Sequence, residues 1–328
     1  MVPLRVFFHL SDYDISLIYS APMTFGQPYV GTDNGPRLLR EAGLLDNLAS
    51  IGWRVDDQGD LDFKSIENEF ENPEEESPSA KNSQIVGKGC ELLANAIIDA
   101  IKENRFPLIL GGDHSIGAGS LAGVLKARPN TGVIWVDAHA DLNTPDISES
   151  GNMHGMPVGL LMKGMGQDPS KIAGFEWLGS PEMMDVRLDP DSIVYIGLRD
   201  VDMKERQILR EMNIKAFTMY EVDKYGIGGV MDQALDHLLA KDPDRPLHLS
   251  YDIDAVDPIL APATGTAVRG GLTYREAHYV AEATARSGNL ASAEIVELNP
   301  TLSDVGGSTE TVELGLGLLT SLMGKSII

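Results

Sequence analysis

The 328-residue chain has one cysteine, Cys90, so no disulfide can form within it and reducing surroundings are expected. Basic residues are scarce: 26 Lys and Arg stand against 49 Asp and Glu, a formal net charge of −23. Nucleic-acid backbones are bound by clustered Lys and Arg, so no nucleic-acid partner is expected. The excess of carboxylates suits a cationic small molecule or metal ions, although most of these charges need only solvate the surface. Long apolar runs are missing too. No stretch approaches about 18 uninterrupted apolar residues, and no membrane partner is expected. Residues 2–10 are apolar but broken by Arg5 and His9, and they run into Asp12 and Asp14, unlike a signal peptide. The expected location is therefore cytoplasmic. Hydrophobic residues still make up 43% of the chain, enough for a large core, which excludes a disordered or fibrous protein.

Four short apolar runs are present, at 106–112, 132–136, 192–198 and 247–251. All have strand length, two are rich in β-branched or aromatic residues, and each reads as a buried parallel strand. Each also ends in polar residues: Asp113 and His114; Asp137, His139 and Asp141; Arg199, Asp200 and Asp202; Asp252 and Asp254. Helical spacing marks residues 33–50, 83–103, 204–212, 228–240, 274–287 and 309–323. Strands alternating with helices predict a three-layer α/β fold with a mainly parallel central sheet flanked by helices. Ligands collect at the carboxyl ends of such strands, so the polar clusters predict one shared site. No domain boundary is visible, and residues 1–328 are read as a single domain. The acidic stretch at 67–83 reads as a solvated surface insertion.

The polar clusters have the composition of a metal site. In the sequence DAHAD at 137–141, alternate residues on an extended strand end would face one side, about 7 Å apart per two-residue step. Asp252 and Asp254 repeat that spacing. His114, His139 and the four carboxylates of Asp137, Asp141, Asp252 and Asp254 could not share one site without cations, because their mutual repulsion would force some to protonate. Two divalent ions balance four negative charges. Nitrogen and oxygen donors with a carboxylate majority favour Mn²⁺ over Zn²⁺ or Cu²⁺, while Fe²⁺, Co²⁺ and Ni²⁺ would also fit. Paired metals hold a bridging hydroxide ready for attack.

These segments resemble a known family. GGDHS at 111–115, DAHAD at 137–141 and SYDIDAVDP at 250–258 resemble the three metal-binding signatures of the ureohydrolases. Residues 143–157 are similar to the arginase substrate loop rather than to the agmatinase one, and APATGT at 261–266, GGLTYRE at 270–276 and ELNP at 297–300 match further arginase segments. The likeness runs from about residue 15 to the last helix. It implies an arginase/deacetylase-like fold, a two-manganese site, and hydrolysis of L-arginine to L-ornithine and urea. By position it implies that His114, Asp137, Asp141 and Asp252 hold one ion and Asp137, His139, Asp252 and Asp254 the other. It further implies that His154 shuttles protons and that Glu297 holds the guanidinium, with Thr266 beside that pocket; Asp141, a ligand near the hydroxide, is then the natural carrier of the proton that the leaving amine needs. Asn143, Ser148 and Ser150 fall where the substrate carboxylate is bound, Asn152, Asp202 and Glu205 where the α-amino group is recognised, and Asp200 where the pocket is supported. Asp202 and Glu205 together would also serve as ordinary negative charge at a helix start. Arginases are often trimers, sometimes hexamers, and Arg275 and Glu282 fall where an intersubunit ion pair is expected.

Two positions depart from the family pattern. Ser148 stands where many arginases have Thr, which keeps the hydroxyl. Glu149 adds a negative charge beside the expected carboxylate site, which leaves agmatine or guanidinobutyrate as alternative substrates. A non-catalytic arginine- or enzyme-binding homologue is the other alternative, and the complete ligand set counts against it.

Overall fold

The computed structural model describes residues 15–69 and 77–326. Part of the acidic 67–83 stretch, and the N-terminal residues read against a signal peptide, lie outside them.

Eight parallel strands form one sheet: β1 (Ile15–Ala21), β2 (Arg54–Asp60), β3 (Phe106–Gly111), β4 (Gly132–Val136), β5 (Ile193–Leu198), β6 (Lys215–Thr218), β7 (Leu247–Asp252) and β8 (Leu290–Val296). Their order across the sheet is β2-β1-β3-β8-β7-β4-β5-β6. The helices are α1 (Gly35–Glu41), α2 (Leu44–Ser50), α3 (Phe63–Glu69), α4 (Ser83–Lys102), α5 (Gly117–Ala127), α6 (Pro157–Leu161), α7 (Met203–Glu211), α8 (Met219–Leu239), α9 (Tyr274–Arg286) and α10 (Val305–Leu322). The expected three-layer α/β fold is what the chain adopts.

The layering follows from the two-residue period of the strands. Leu108, Ile134, Val136, Val194, Ile196, Leu249 and Ile295 pack into an apolar cluster with α1, α2, α8, α9 and α10. Their neighbours Ile109, Val133, Trp135, Ile193 and Tyr195 point the other way, into a second cluster with α4, α5 and α6. Five strands, β3, β4, β5, β7 and β8, are buried along their whole length. That explains their continuous apolar runs, since both faces are covered. Each fully buried large side chain contributes about 1.5–3 kcal/mol.

All four expected strands are present, and four more were not expected. β8 (LASAEIV) is built on small residues, β6 has only four residues, and β2 (RVDDQGD) is a charged edge strand. The segment 33–50 is two helices, because Gly43 adopts a left-handed φ of 94° and breaks the run. α5 went unread because its face is glycine. A Cβ on Gly119 would lie 2.6 Å from the Cys90 carbonyl oxygen, and one on Gly123 would lie 2.8 Å from that of Ala94. Those glycines let α5 press its backbone onto α4. α8 starts earlier than its apolar period, capped by Thr218, and runs through a kink at Gly226.

Candidate metal centre

β3, β8, β7 and β4 are neighbours in the sheet. Their carboxyl ends therefore place Asp113 and His114, Glu297, Asp252 and Asp137 side by side, although the chain segments are far apart in sequence. This is the shared site expected at the strand ends.

Two triads share one carboxylate: His114, Asp137 and Asp252; and Asp137, His139 and Asp254. The Nδ1 atom of His114 lies 3.1 Å from Asp137 Oδ2, 3.0 Å from Asp141 Oδ2 and 3.1 Å from Asp252 Oδ2. The Nδ1 atom of His139 lies 3.0 Å from Asp254 Oδ2 and 3.4 Å from Asp137 Oδ1. Separations of about 3 Å are those of adjacent ligands bound about 2.1 Å from one octahedral ion.

The ligands do not converge by strand alternation. β4 ends at Val136, and residues 137–139 bend away from it. Asp141 has a left-handed φ of 50°. Asp252 closes β7 and caps a 3-10 turn at Ile253–Ala255, accepting the Asp254 N–H at 2.8 Å. An extended segment would hold alternate side chains about 7 Å apart, too far to share an ion, whereas the turns fold them together. Five non-glycine residues among those described have positive φ, and three are Asn, which tolerates it. The other two are Asp141, also of a tolerant type, and Glu297, and both stand in the strand-end cluster.

A cation fits this cradle. The Nε2 atom of His114 is 2.8 Å from Ser250 Oγ, whose hydroxyl donates to Glu294 Oε1 at 2.6 Å. Ser250 can then only accept from Nε2–H, so Nδ1 carries the lone pair. That buried Nδ1 has no hydrogen-bond partner, yet faces three carboxylate oxygens. A lone pair against three carboxylates is repulsive until a proton or a metal ion sits between them. The ring also stacks on Trp135, with 4.2 Å between centroids. Trp135 Nε1–H and the His139 N–H fix the two oxygens of Asp137, at 3.1 and 2.7 Å. Thr266 Oγ1 and the Ala138 N–H do the same for Asp254, at 2.9 and 3.2 Å.

The electrostatics say the same. Burial and the neighbouring Asp137 carboxylate push Asp141 up to about 6. Burial, Asp254 and Asp137 push Asp252 well above its ordinary value. Burial opposes charge on His114 and His139, but the surrounding carboxylates outweigh it and raise both. Each of these groups binds its proton more tightly folded than unfolded. Their contribution to the stability of the metal-free chain is present in acid and is lost as pH rises, from about 4 for the carboxyls and 6.5 for the imidazoles. Metal ions compete for the same groups, so the rise in Tm on adding Mn²⁺ is expected to be larger at pH 8 than at pH 6. Scanning calorimetry checks this; an equal or smaller rise at pH 8 contradicts it.

Over this cradle opens a cleft of ≈150 Å³ lined by His114, His139, Asp141, Asn143, Ser150, His154, Asp200, Asp202, Glu205, Asp252 and Thr266, among others. Most of the expected substrate-binding residues are here. Asn143 donates to Asp202 Oδ2 at 3.0 Å and leaves its buried Oδ1 unpaired. Asp202 caps α7 in a capping box with Glu205. Glu205 accepts the Leu142 and Asp202 N–H groups at 2.8 and 3.0 Å, and burial pushes it up to about 7. Ser148 and Asn152 are not in the lining: the Ser148 hydroxyl is turned to the Gly151 N–H at 3.0 Å. Glu297 sits behind the cleft, 1% exposed, accepting the His114 N–H at 2.8 Å and lying 3.4 Å from His154 Nδ1. Burial would raise its pKa, but His154 and the His114 N–H hold it below the usual carboxylate value.

Glu294, Trp135 and Gln27 support the site without having been singled out for it, and Asp113 and Ser250 support it without having been given a role. Asp113 lay within a quoted motif; the carboxamide of Gln27 carried no signal.

A model of the arginase family matches residues 14–324. The chain is similar to the arginase of Glaciozyma antarctica (strain PI12), 42% identical over 311 residues that cover 95% of this chain and 88% of that one. It is 43% identical to human arginase-1 over 310 residues, covering 94% of this chain and 92% of the relative. The crystal structure of the Bacillus subtilis arginase superposes with a TM-score of 0.81 at 39% identity, covering 96% of this chain and 99% of that one. The Entamoeba histolytica arginase, solved in complex with L-ornithine, gives a TM-score of 0.81 at 30% identity, covering 95% of this chain and 99% of that one.

Proposed function

Because the chain belongs to the arginase family, a family of metal-dependent hydrolases of arginine, we propose that it converts L-arginine and water to L-ornithine and urea with two manganese ions. The observation that carries the reading is the unpaired Nδ1 of His114 among three carboxylates, beside a second triad that shares Asp137. His114, Asp137, Asp141 and Asp252 would hold one ion, and Asp137, His139, Asp252 and Asp254 the other. Two bound ions supply the acidity that makes water a strong nucleophile at neutral pH.

The protein groups do the rest. A guanidinium keeps its proton at neutral pH and spreads its charge, which makes its carbon a poor electrophile. Glu297, kept ionised, pairs with it and aims that carbon at the attacking water. As the C–N bond to ornithine breaks, the departing amine needs a proton, and Asp141 is placed to carry it. His154 lines the cleft and exchanges that proton with solvent. Asn143 and Ser150, in the cleft lining, receive the substrate carboxylate, and Asp202 and Glu205 the α-ammonium, with Asp200 in support; Ser148 and Asn152, outside the lining, would have to turn toward the substrate to join them.

Comparing L-arginine with agmatine at equal concentration tests the amino-acid half of the site. Arginine is expected to be hydrolysed at least about 10-fold faster, since losing charge-assisted hydrogen bonds costs that much or more. Equal rates would transfer the reading to decarboxylated guanidines, in line with Glu149.

The enzyme is further proposed to work in the cytoplasm as a homotrimer or a pair of trimers. Arg275 and Glu282, expected to pair between subunits, also meet within the single chain described. They pair within α9 at 3.2 Å, two turns apart on one face. Among the described residues no helix is long and apolar enough to cross a membrane.

A further inference from the structure

We propose that Gln27 is a positioning residue for guanidinium recognition: its carboxamide sets the plane of the Glu297 carboxylate that meets the substrate. The inference rests on the role given to Glu297 above. Gln27 follows β1 in the chain and is separated from Glu297 by 270 positions. Its Nε2 donates to Glu297 Oε2 at 2.6 Å, while Oε1 is taken by the His114 N–H and faces His154.

The last torsion of a glutamate is broad, so a carboxylate pinned at one oxygen can still turn. Pairing with a planar guanidinium needs a fixed plane, which two pinned oxygens provide. Gln27 is the partner on Oε2. If its amide were reversed, its own oxygen would face a carboxylate oxygen, so the nitrogen must be the atom turned to Glu297.

The mount is rigid. The Gly26 N–H donates to Asp113 Oδ2 at 2.9 Å, and the Gly26 carbonyl accepts the His154 N–H at 3.0 Å. Asn82 holds the Phe25 carbonyl at 2.8 Å. One short segment thus ties together Asp113, His154 and, through Gln27, Glu297. Gln27 is 6% exposed, and its Oε1 is buried without a partner, a costly arrangement that apolar packing would avoid. The carboxamide also uses the space that Gly265 leaves: a Cβ there would stand 2.5 Å from Gln27 Oε1.

Two variants test this. Gln27→Leu keeps the volume and removes the donor, whereas Gly265→Ala pushes the carboxamide aside without removing it. Mn²⁺-loaded wild type, both variants and Glu297→Gln are titrated calorimetrically with guanidinium chloride and, separately, with L-ornithine, after their metal content is measured. Both variants are expected to lose about 10-fold or more in guanidinium affinity, the scale of one hydrogen bond to a charged group. Metal content and ornithine affinity should stay at wild-type values, and arginine kinetics should show a raised KM together with a lowered kcat. Unchanged guanidinium affinity in both variants, with Glu297→Gln losing it, overturns the role of Gln27 and leaves that of Glu297 standing. Unchanged affinity in Glu297→Gln itself removes Glu297, and this inference with it. Parallel loss of metal, ornithine and guanidinium binding in both variants would show that Gln27 supports the site as a whole, which also overturns it.

Discussion

Asp137→Asn is expected to lose bound metal and with it nearly all urea release, a drop on the order of 10⁴-fold or more once water is no longer acidified. Asp137 is the carboxylate common to both ligand triads, and it is fully buried. Its two oxygens face different imidazoles, Oδ2 toward His114 and Oδ1 toward His139. Each oxygen also accepts an N–H, from Trp135 and from the backbone of His139. A carboxamide fails on both counts. It has no negative charge to share between two dications, and its NH₂ group would point at one of those two N–H donors. The structure offers it no orientation without a buried clash of donors. Metal analysis and a urea assay check the expectation together; near-normal activity with full metal occupancy would contradict the assignment.

His154→Asn is expected to separate catalysis from metal binding. Its ring lies against Glu297, its backbone N–H is spent on Gly26, and no ion pair joins it to the six proposed metal ligands. Both ions should therefore remain, and substrate affinity should change little. Turnover should fall on the order of 10²–10⁴-fold, the range for a lost general acid–base group. Added imidazole should restore part of the rate, because proton transfer needs no covalent attachment. A variant that lost metal or failed to fold would show that His154 is a ligand or a packing residue instead.

The candidate metal ligands were legible because their chemistry is unusual. Four carboxylates and two imidazoles at the ends of apolar runs have little other use. Their geometry was less legible. Spacing of two residues suggested strand alternation, but the strands stop first, and Asp141 and Asp254 reach the site through turns that leave no periodic trace. β8 went unread because its Ala and Ser positions are buried by neighbours that only the tertiary fold supplies. Glu297, at its end, was reached through family resemblance and not through any local pattern. The roles of Gln27, Ser250 and Glu294 were not legible for a related reason. A carboxamide, a hydroxyl or one more carboxylate reads as surface until the fold buries it against a partner far away in sequence.

The most direct measurement is urea release from L-arginine by the protein stripped of metal and then reloaded with Mn²⁺, with bound ions counted on the same sample. The expected result is two ions per chain, urea produced by the reloaded protein, and none above background from the stripped one. Two bound ions without urea, or urea released equally by the stripped protein, would contradict the account.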